Sequence, residues 1–398
     1  MTNSPANLFR AGWRVFFWAA GLWAVLSVAV WTLWLSGQFM GLDMAGPGGT
    51  PQLWHAHEMI FGYATAALGG FFLTAVPNWT GARAAPERFI AIVFSLWLAG
   101  RFAVWIAPQL PPVVVAIVDL AFLPVLAAKV LTQLLARPKP QNMMFLLLLS
   151  MVWTGNLLVH LDWIGVAGTE WQGLRGGLLT IAAMIAALGG RVTPAFTRNA
   201  LLRAGRAAEM PKIPVAIDRL GVVLPIAAAL SVLLGLPDGF AGVLALLAGP
   251  VAFLRLCGWA GWRMRDQPIV WALHLGYAML ALGLALWGLS MFGIGSETGA
   301  LHILAIGAIG GMTLAVMSRA SLGHSGRELV APGPVALGYA LLPVSALLRW
   351  AASAWPAQFY ETGIILSGLL WIAAFALYLA ALWPIFFAPR ADGKPDAA

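Results

Sequence analysis

Apolar residues fill the chain in long stretches, each closed by a short cluster of Gly, Pro or charged residues. The stretches fall at about 12–36, 54–76, 87–107, 112–136, 141–161, 173–192, 215–235, 238–258, 268–292, 298–318, 334–355 and 359–388. About 20 apolar residues wound as an α-helix cross the hydrocarbon core of a bilayer, so each stretch predicts one spanning helix. The expected fold is all-α, a polytopic membrane protein of about twelve transmembrane helices. Many further runs follow the first, which therefore reads as a span and not as a cleaved leader.

Composition sharpens this picture. Of 398 residues, 61% are hydrophobic and 10% charged, where a soluble chain has about 45–50% and 25%. Spans and short loops use up the chain, so residues 1–398 read as a single integral membrane domain with lipid as its surroundings. The formal net charge of +8 comes from 23 Lys and Arg scattered singly. That argues against a nucleic-acid partner and for a topology signal. Cytoplasmic termini place twenty of the 23 cations on the inner side, among them Arg10, Arg198, Arg203, Arg319, Arg327 and Arg390. Arg101, Arg175 and Arg349 fall outside. Trp54, Trp105, Trp163, Trp259 and Trp355 stand near span ends, where an interfacial aromatic belt is expected. The one cysteine, Cys257, excludes an intrachain disulfide and a thiolate zinc site.

Three even-numbered spans carry a related run: Ala66-Ala67-Leu68-Gly69-Gly70, Ala186-Ala187-Leu188-Gly189-Gly190 and Gly307-Ala308-Ile309-Gly310-Gly311. The second glycines are 120 and 121 residues apart, and a polar residue (Asn78, Arg198, Arg319) follows each pair at the same distance. This suggests three parallel four-helix repeats over 12–136, 141–258 and 268–388. Close helix packing through small residues is the competing explanation of the glycines.

All six histidines lie in or beside the spans, where ionisable groups are costly and mark function. His55, His57, His160 and His302 form an outer group; His274 in the ninth span and His324 just past the tenth form an inner one. Imidazole binds haem iron or copper without having to carry a charge. The outer group is therefore a candidate ligand set, with interhelical hydrogen bonding as the alternative use of each ring. Aligned through the repeat, His57 and His302 differ by about 40° and 6 Å on a helix, and so share a face. His55 and His57 serve opposite faces of a regular helix, which favours two neighbouring centres.

Glu58, the candidate catalytic residue, adjoins this site and Asp119 lies in the fourth span; either carries protons or orients a ligand histidine, with a carboxylate hydrogen-bonded near the interface as the alternative for each. Arg101 and Arg349, near outer span ends, suit haem propionates; snorkelling explains them equally. On the inner side, Arg319-Ala320-Ser321-Leu322-Gly323-His324-Ser325-Gly326-Arg327 reads as a loop whose two arginines could hold an anionic group, with His274 and His324 as ligands. No P-loop, dinucleotide fingerprint, HExxH or GxSxG occurs, so ATPase, dehydrogenase and hydrolase readings have no support.

Trp54-His55-Ala56-His57-Glu58-Met59 with Phe61-Gly62-Tyr63, Leu273-His274-Leu275-Gly276-Tyr277, His302 with Gly310-Gly311-Met312, and Arg319 to His324 together resemble the NnrS family. The resemblance covers essentially the whole chain. It implies a multi-pass protein of the bacterial inner membrane that contains haem, expected to be of b type, and copper, and that serves denitrification and tolerance of nitric oxide. The repeat is also similar to the catalytic subunit of haem-copper oxidases and their nitric oxide reductase relatives, whose second and tenth helices hold haem through histidine. His57 and His302 fall in the matching spans. The sixth and seventh spans lack histidine, so copper would need His55, His160 or the inner pair.

The leading expectation is a haem and copper protein that binds nitric oxide and protects against nitrosative stress. Whether it is an enzyme stays open; an oxidoreductase of this kind would draw electrons from a quinol or cytochrome c. A twelve-span secondary transporter and a haem or copper carrier are the alternatives.

Overall fold

The computed structural model describes residues 4–206, 210–354, 357–394 and 396. Among the described residues, twelve helices are long and apolar enough to cross a membrane. They are α1 (Gly12–Phe39), α2 (Pro51–Thr80), α3 (Glu87–Trp105), α4 (Pro112–Leu134), α5 (Pro140–Trp163), α6 (Glu170–Arg203), α7 (Val215–Leu233), α8 (Asp238–Cys257), α9 (Pro268–Ser290), α10 (Glu297–His324), α11 (Gly333–Ala354) and α12 (Tyr360–Phe387). No strand occurs among the described residues. The protein is an all-α, multi-pass membrane protein.

Local chemistry sets the helix ends. Pro51, Pro112, Pro140 and Pro268 each open a helix, at a position where the missing N–H has no partner to lose. Two helices outrun their apolar stretches. α6 continues to Arg203 and α10 to His324, so the segment from Arg319 to His324, expected as loop, is helix. Hydropathy drops at Arg191 and Arg319, but Arg, Ala and Leu remain good helix formers. The turns come only at Gly205 and Gly326, both at positive φ.

Interior prolines leave carbonyls that side chains then take up. Pro124 has no N–H for the Leu120 carbonyl, which accepts from Trp153 Nε1 at 3.2 Å. Pro225 likewise frees the Gly221 carbonyl, 3.3 Å from Arg255 Nη1. α2 and α10 also loosen into π-helical stretches, Glu58–Ala64 and Ile303–Gly310, directly after His57 and His302. Such widened turns recur at functional sites.

The chain packs as two compact units. The first comprises residues 1–177, 317–329 and 375–398, the second residues 178–316 and 330–374. In the first, Phe16 packs on Phe122 at 5.8 Å and Phe72 on Phe145 at 5.8 Å between ring centroids. In the second, α8 and α9 meet closely enough that Gly249 lies against the Ala281 carbonyl. Two tryptophans expected in an interfacial belt are buried instead. Trp54 sits among Ala103, Val104 and Val115, beneath Gly48; Trp259 packs on Tyr277 at 4.5 Å. In each case a neighbouring segment covers the helix end. Trp355 lies outside the described residues.

Candidate functional site

Antiparallel neighbours in the first unit bring the starts of α2 and α4 beside the ends of α3 and α5. His57, Asp119, Arg101 and His160 each lie within roughly 5–10 Å of those ends at 1.5 Å rise per residue. The four side chains meet in one cluster, buried throughout, with His57, Glu58 and His160 at 0% exposure. Charges this deep must be paired.

Arg101 is the hub. Its Nη1 donates to Glu58 Oε1 at 2.7 Å and its Nη2 to Asp119 Oδ1. Glu58 Oε2 accepts from Trp23 Nε1 at 2.8 Å, and Glu58 Oε1 lies 3.1 Å from His57 Nδ1. Asn156 closes the ring: its Nδ2 donates to Asp119 Oδ2 at 2.8 Å, and its Oδ1 lies 2.9 Å from His57 Nε2. His160 Nε2 stands 2.9 Å from Asp119 Oδ2, and His57 Nε2 stands 3.3 Å from the same oxygen. Room for this depends on two glycines. A Cβ at Gly62 would lie 2.7 Å from Arg101 Nη1, and one at Gly100 would lie 2.6 Å from Asp119 Oδ1.

Two carboxylates against one guanidinium leave one net negative charge when both imidazoles are neutral. A metal cation or a proton on His57 would balance it. Ligand atoms of His57, Asp119 and His160 all lie within 4.8 Å of one another, and two imidazoles with a carboxylate suit copper, zinc or non-haem iron. His160 turns its Nε2 into this group, and its Nδ1 is buried with no hydrogen-bond partner among the described residues. Trp163 stands 5.2 Å from the His57 ring and 4.9 Å from that of His160, and Phe61 5.2 Å from His57. These aromatic walls keep water from the cluster.

The remaining candidates lie elsewhere. His55 stacks on Trp31 at 4.8 Å and 12° and so turns to different neighbours from His57. His324, in the last turn of α10, faces the Trp13 ring at 6.5 Å. Arg319 is buried in the same helix, and Arg327 lies just beyond it with Nη1 3.4 Å from the Ser325 carbonyl. In the second unit, His302 Nδ1 donates to the Thr298 carbonyl at 2.7 Å. His274 Nδ1 lies 3.2 Å from the Val270 carbonyl, its Nε2 3.2 Å from Thr197 Oγ1. Arg349 bonds Ser353 Oγ.

Sequence reasoning passed over Asn156. The signal was present: it lies four residues before His160, on the same face of α5. Asp119 was in view as a proton carrier or orienting carboxylate, but nothing local tied it to a particular histidine.

A family model described as NnrS protein matches residues 7–390 of the chain. No curated protein matches it.

Proposed function

The chain belongs to the NnrS family, and from that premise we propose that it is a haem- and copper-containing protein of the bacterial inner membrane that binds nitric oxide and protects against nitrosative stress. The observation that carries this reading is the buried meeting of His57, Asp119 and His160. These three would hold copper. Arg101 and Asn156 fix the Asp119 carboxylate, and Glu58 fixes the His57 ring through Nδ1. Nitric oxide is small and uncharged, so it enters a buried site walled by Phe61 and Trp163 at little desolvation cost.

For haem, the second unit offers the better donors. His302 donates its Nδ1 proton to its own helix, and a ring oriented this way would ligate through Nε2. Arg349, the same distance from the end of α11 as His302 is from the start of α10, stands at matching depth for a propionate; Gly299 packs on Trp350 between these helices. Bound copper and haem iron would supply the affinity for nitric oxide and the redox couple. Reduction of nitric oxide with electrons from a quinol or cytochrome c is the enzymatic form of the reading; stable binding is the other. Cytoplasmic termini complete it.

Metal analysis and optical spectra of the detergent-purified chain, oxidised, reduced and with nitric oxide, test this. Bound copper that is lost in His160→Ala, and haem bands that shift with nitric oxide and are lost in His302→Ala, are the expected results. A second reading, a secondary transporter, draws on one observation: Arg101 pairs with both carboxylates, so the cluster also closes without a metal. A colourless, metal-free preparation after expression with haem and copper supplied would favour it.

A further inference from the structure

The first unit also holds a polar hollow, at the end of α2 remote from the histidine cluster. A cavity of about 130 Å³ opens between the start of α1, the end of α2, the turn after it and the last residue of α10. Arg10, His324 and Arg390 line it and, among the described residues, no carboxylate does; Trp13, Leu73 and Ile90 form its apolar wall. Its volume is well below the roughly 300–1,000 Å³ of sites for drug-sized ligands. It suits a small group and not a macrocycle.

The polar side chains are arranged to donate. Arg390 is held by its Nη1 on the His324 carbonyl at 2.6 Å and by Nε and Nη2 on Asp392 at 2.9 and 2.6 Å. A guanidinium has five N–H groups, so two remain for a ligand on a side chain already fixed in place. Asp392 offsets the charge of Arg390, and Arg10, exposed at the rim, supplies the unbalanced positive charge. Asn78 Nδ2 donates to the Thr74 carbonyl at 2.9 Å, which leaves its amide oxygen as an acceptor for a hydroxyl. The ligand matching this set carries a compact oxyanion, a neighbouring hydroxyl and an apolar attachment.

We propose that this cavity binds a phosphate group, presented by the headgroup of an anionic phospholipid or as free phosphate. Headgroups lie where spanning helices end, and basic pockets between such helices attract them. Arg10 and Arg390 grip the phosphate, Asn78 takes a headgroup hydroxyl, and Trp13 and Leu73 pack on the apolar attachment.

The test monitors thermal unfolding of the full chain in detergent while phosphatidylglycerol, phosphatidylcholine or inorganic phosphate is titrated in. Phosphatidylglycerol, and not phosphatidylcholine, is expected to raise the midpoint, and Arg10→Glu to raise the half-saturating concentration at least about tenfold. Arg10 is exposed, so this variant is expected to fold; Arg390→Gln gives a second reading of the same site. A response to inorganic phosphate with the same sensitivity to Arg10→Glu supports the site and makes its ligand soluble phosphate. Equal responses in wild type and Arg10→Glu, or no response to either phosphate source, would overturn the proposal.

Discussion

Asp119 Oδ2 lies 2.9 Å from His160 Nε2 and 3.3 Å from His57 Nε2. Ligand atoms of the two imidazoles and the carboxylate converge on one buried spot, a donor set that suits copper. Copper(II) added at about 100 times its Kd is therefore expected to stabilise the wild type by about 2.7 kcal/mol. His160→Ala should show no such gain. Unfolding midpoints with and without copper measure both.

Arg101 balances two carboxylates with one side chain. Arg101→Ala leaves Glu58 and Asp119 buried without their cation, and breaking such a pair costs about 3–5 kcal/mol. Lysine does not restore it, because one ammonium lacks the planar fork that reaches both partners. Comparison of the unfolding free energies of Arg101→Ala and Arg101→Lys with wild type checks this; a loss below about 1 kcal/mol, the size of an exposed pair, would refute it.

Two glycines of the repeated runs should respond oppositely to alanine. At Gly190 a Cβ would lie 2.0 Å from Arg255 Nη2. That guanidinium cannot easily withdraw, since it is bonded to the Ala186 carbonyl at 2.9 Å, Tyr277 Oη at 2.6 Å and Asp218 at 2.8 Å. Gly190→Ala is expected to cost about 1–3 kcal/mol through overpacking. At Gly311 the nearest atom is 3.4 Å away, and Gly311→Ala should be neutral or gain up to about 1 kcal/mol of helix propensity. Thermal unfolding of both variants reads the contrast.

The C-terminal segment carries a titration that can be observed directly. The hydrogen bond from Arg390 holds the exposed Asp392 carboxyl down at about 2. A depressed carboxyl stabilises the folded form above its ordinary pKa of about 3.9 and loses that contribution as pH falls toward the folded value. Carboxyl NMR of wild type should give a midpoint near 2, and Arg390→Gln should return it to about 3.9. An unchanged midpoint in the variant would show that the pairing is absent in solution.

Hydropathy alone located the twelve spans, because transfer into a bilayer is decided segment by segment and needs no knowledge of neighbours. It misplaced the ends of α6 and α10 because helix formation does not stop where apolarity does; Gly205 and Gly326 stop it. His57, His160, Glu58 and Arg101 were visible as costly polar residues at similar depth. Their grouping was not. Arg101, which suited a propionate by position, spends both terminal nitrogens on Glu58 and Asp119, and Asn156 joins the ring from α5. Depth along the membrane normal is written in one dimension, so the sequence by itself determined it. Which faces of α2, α3, α4 and α5 turn toward one another depends on contacts between residues as far apart as His57 and Asn156, and only the tertiary structure decided that.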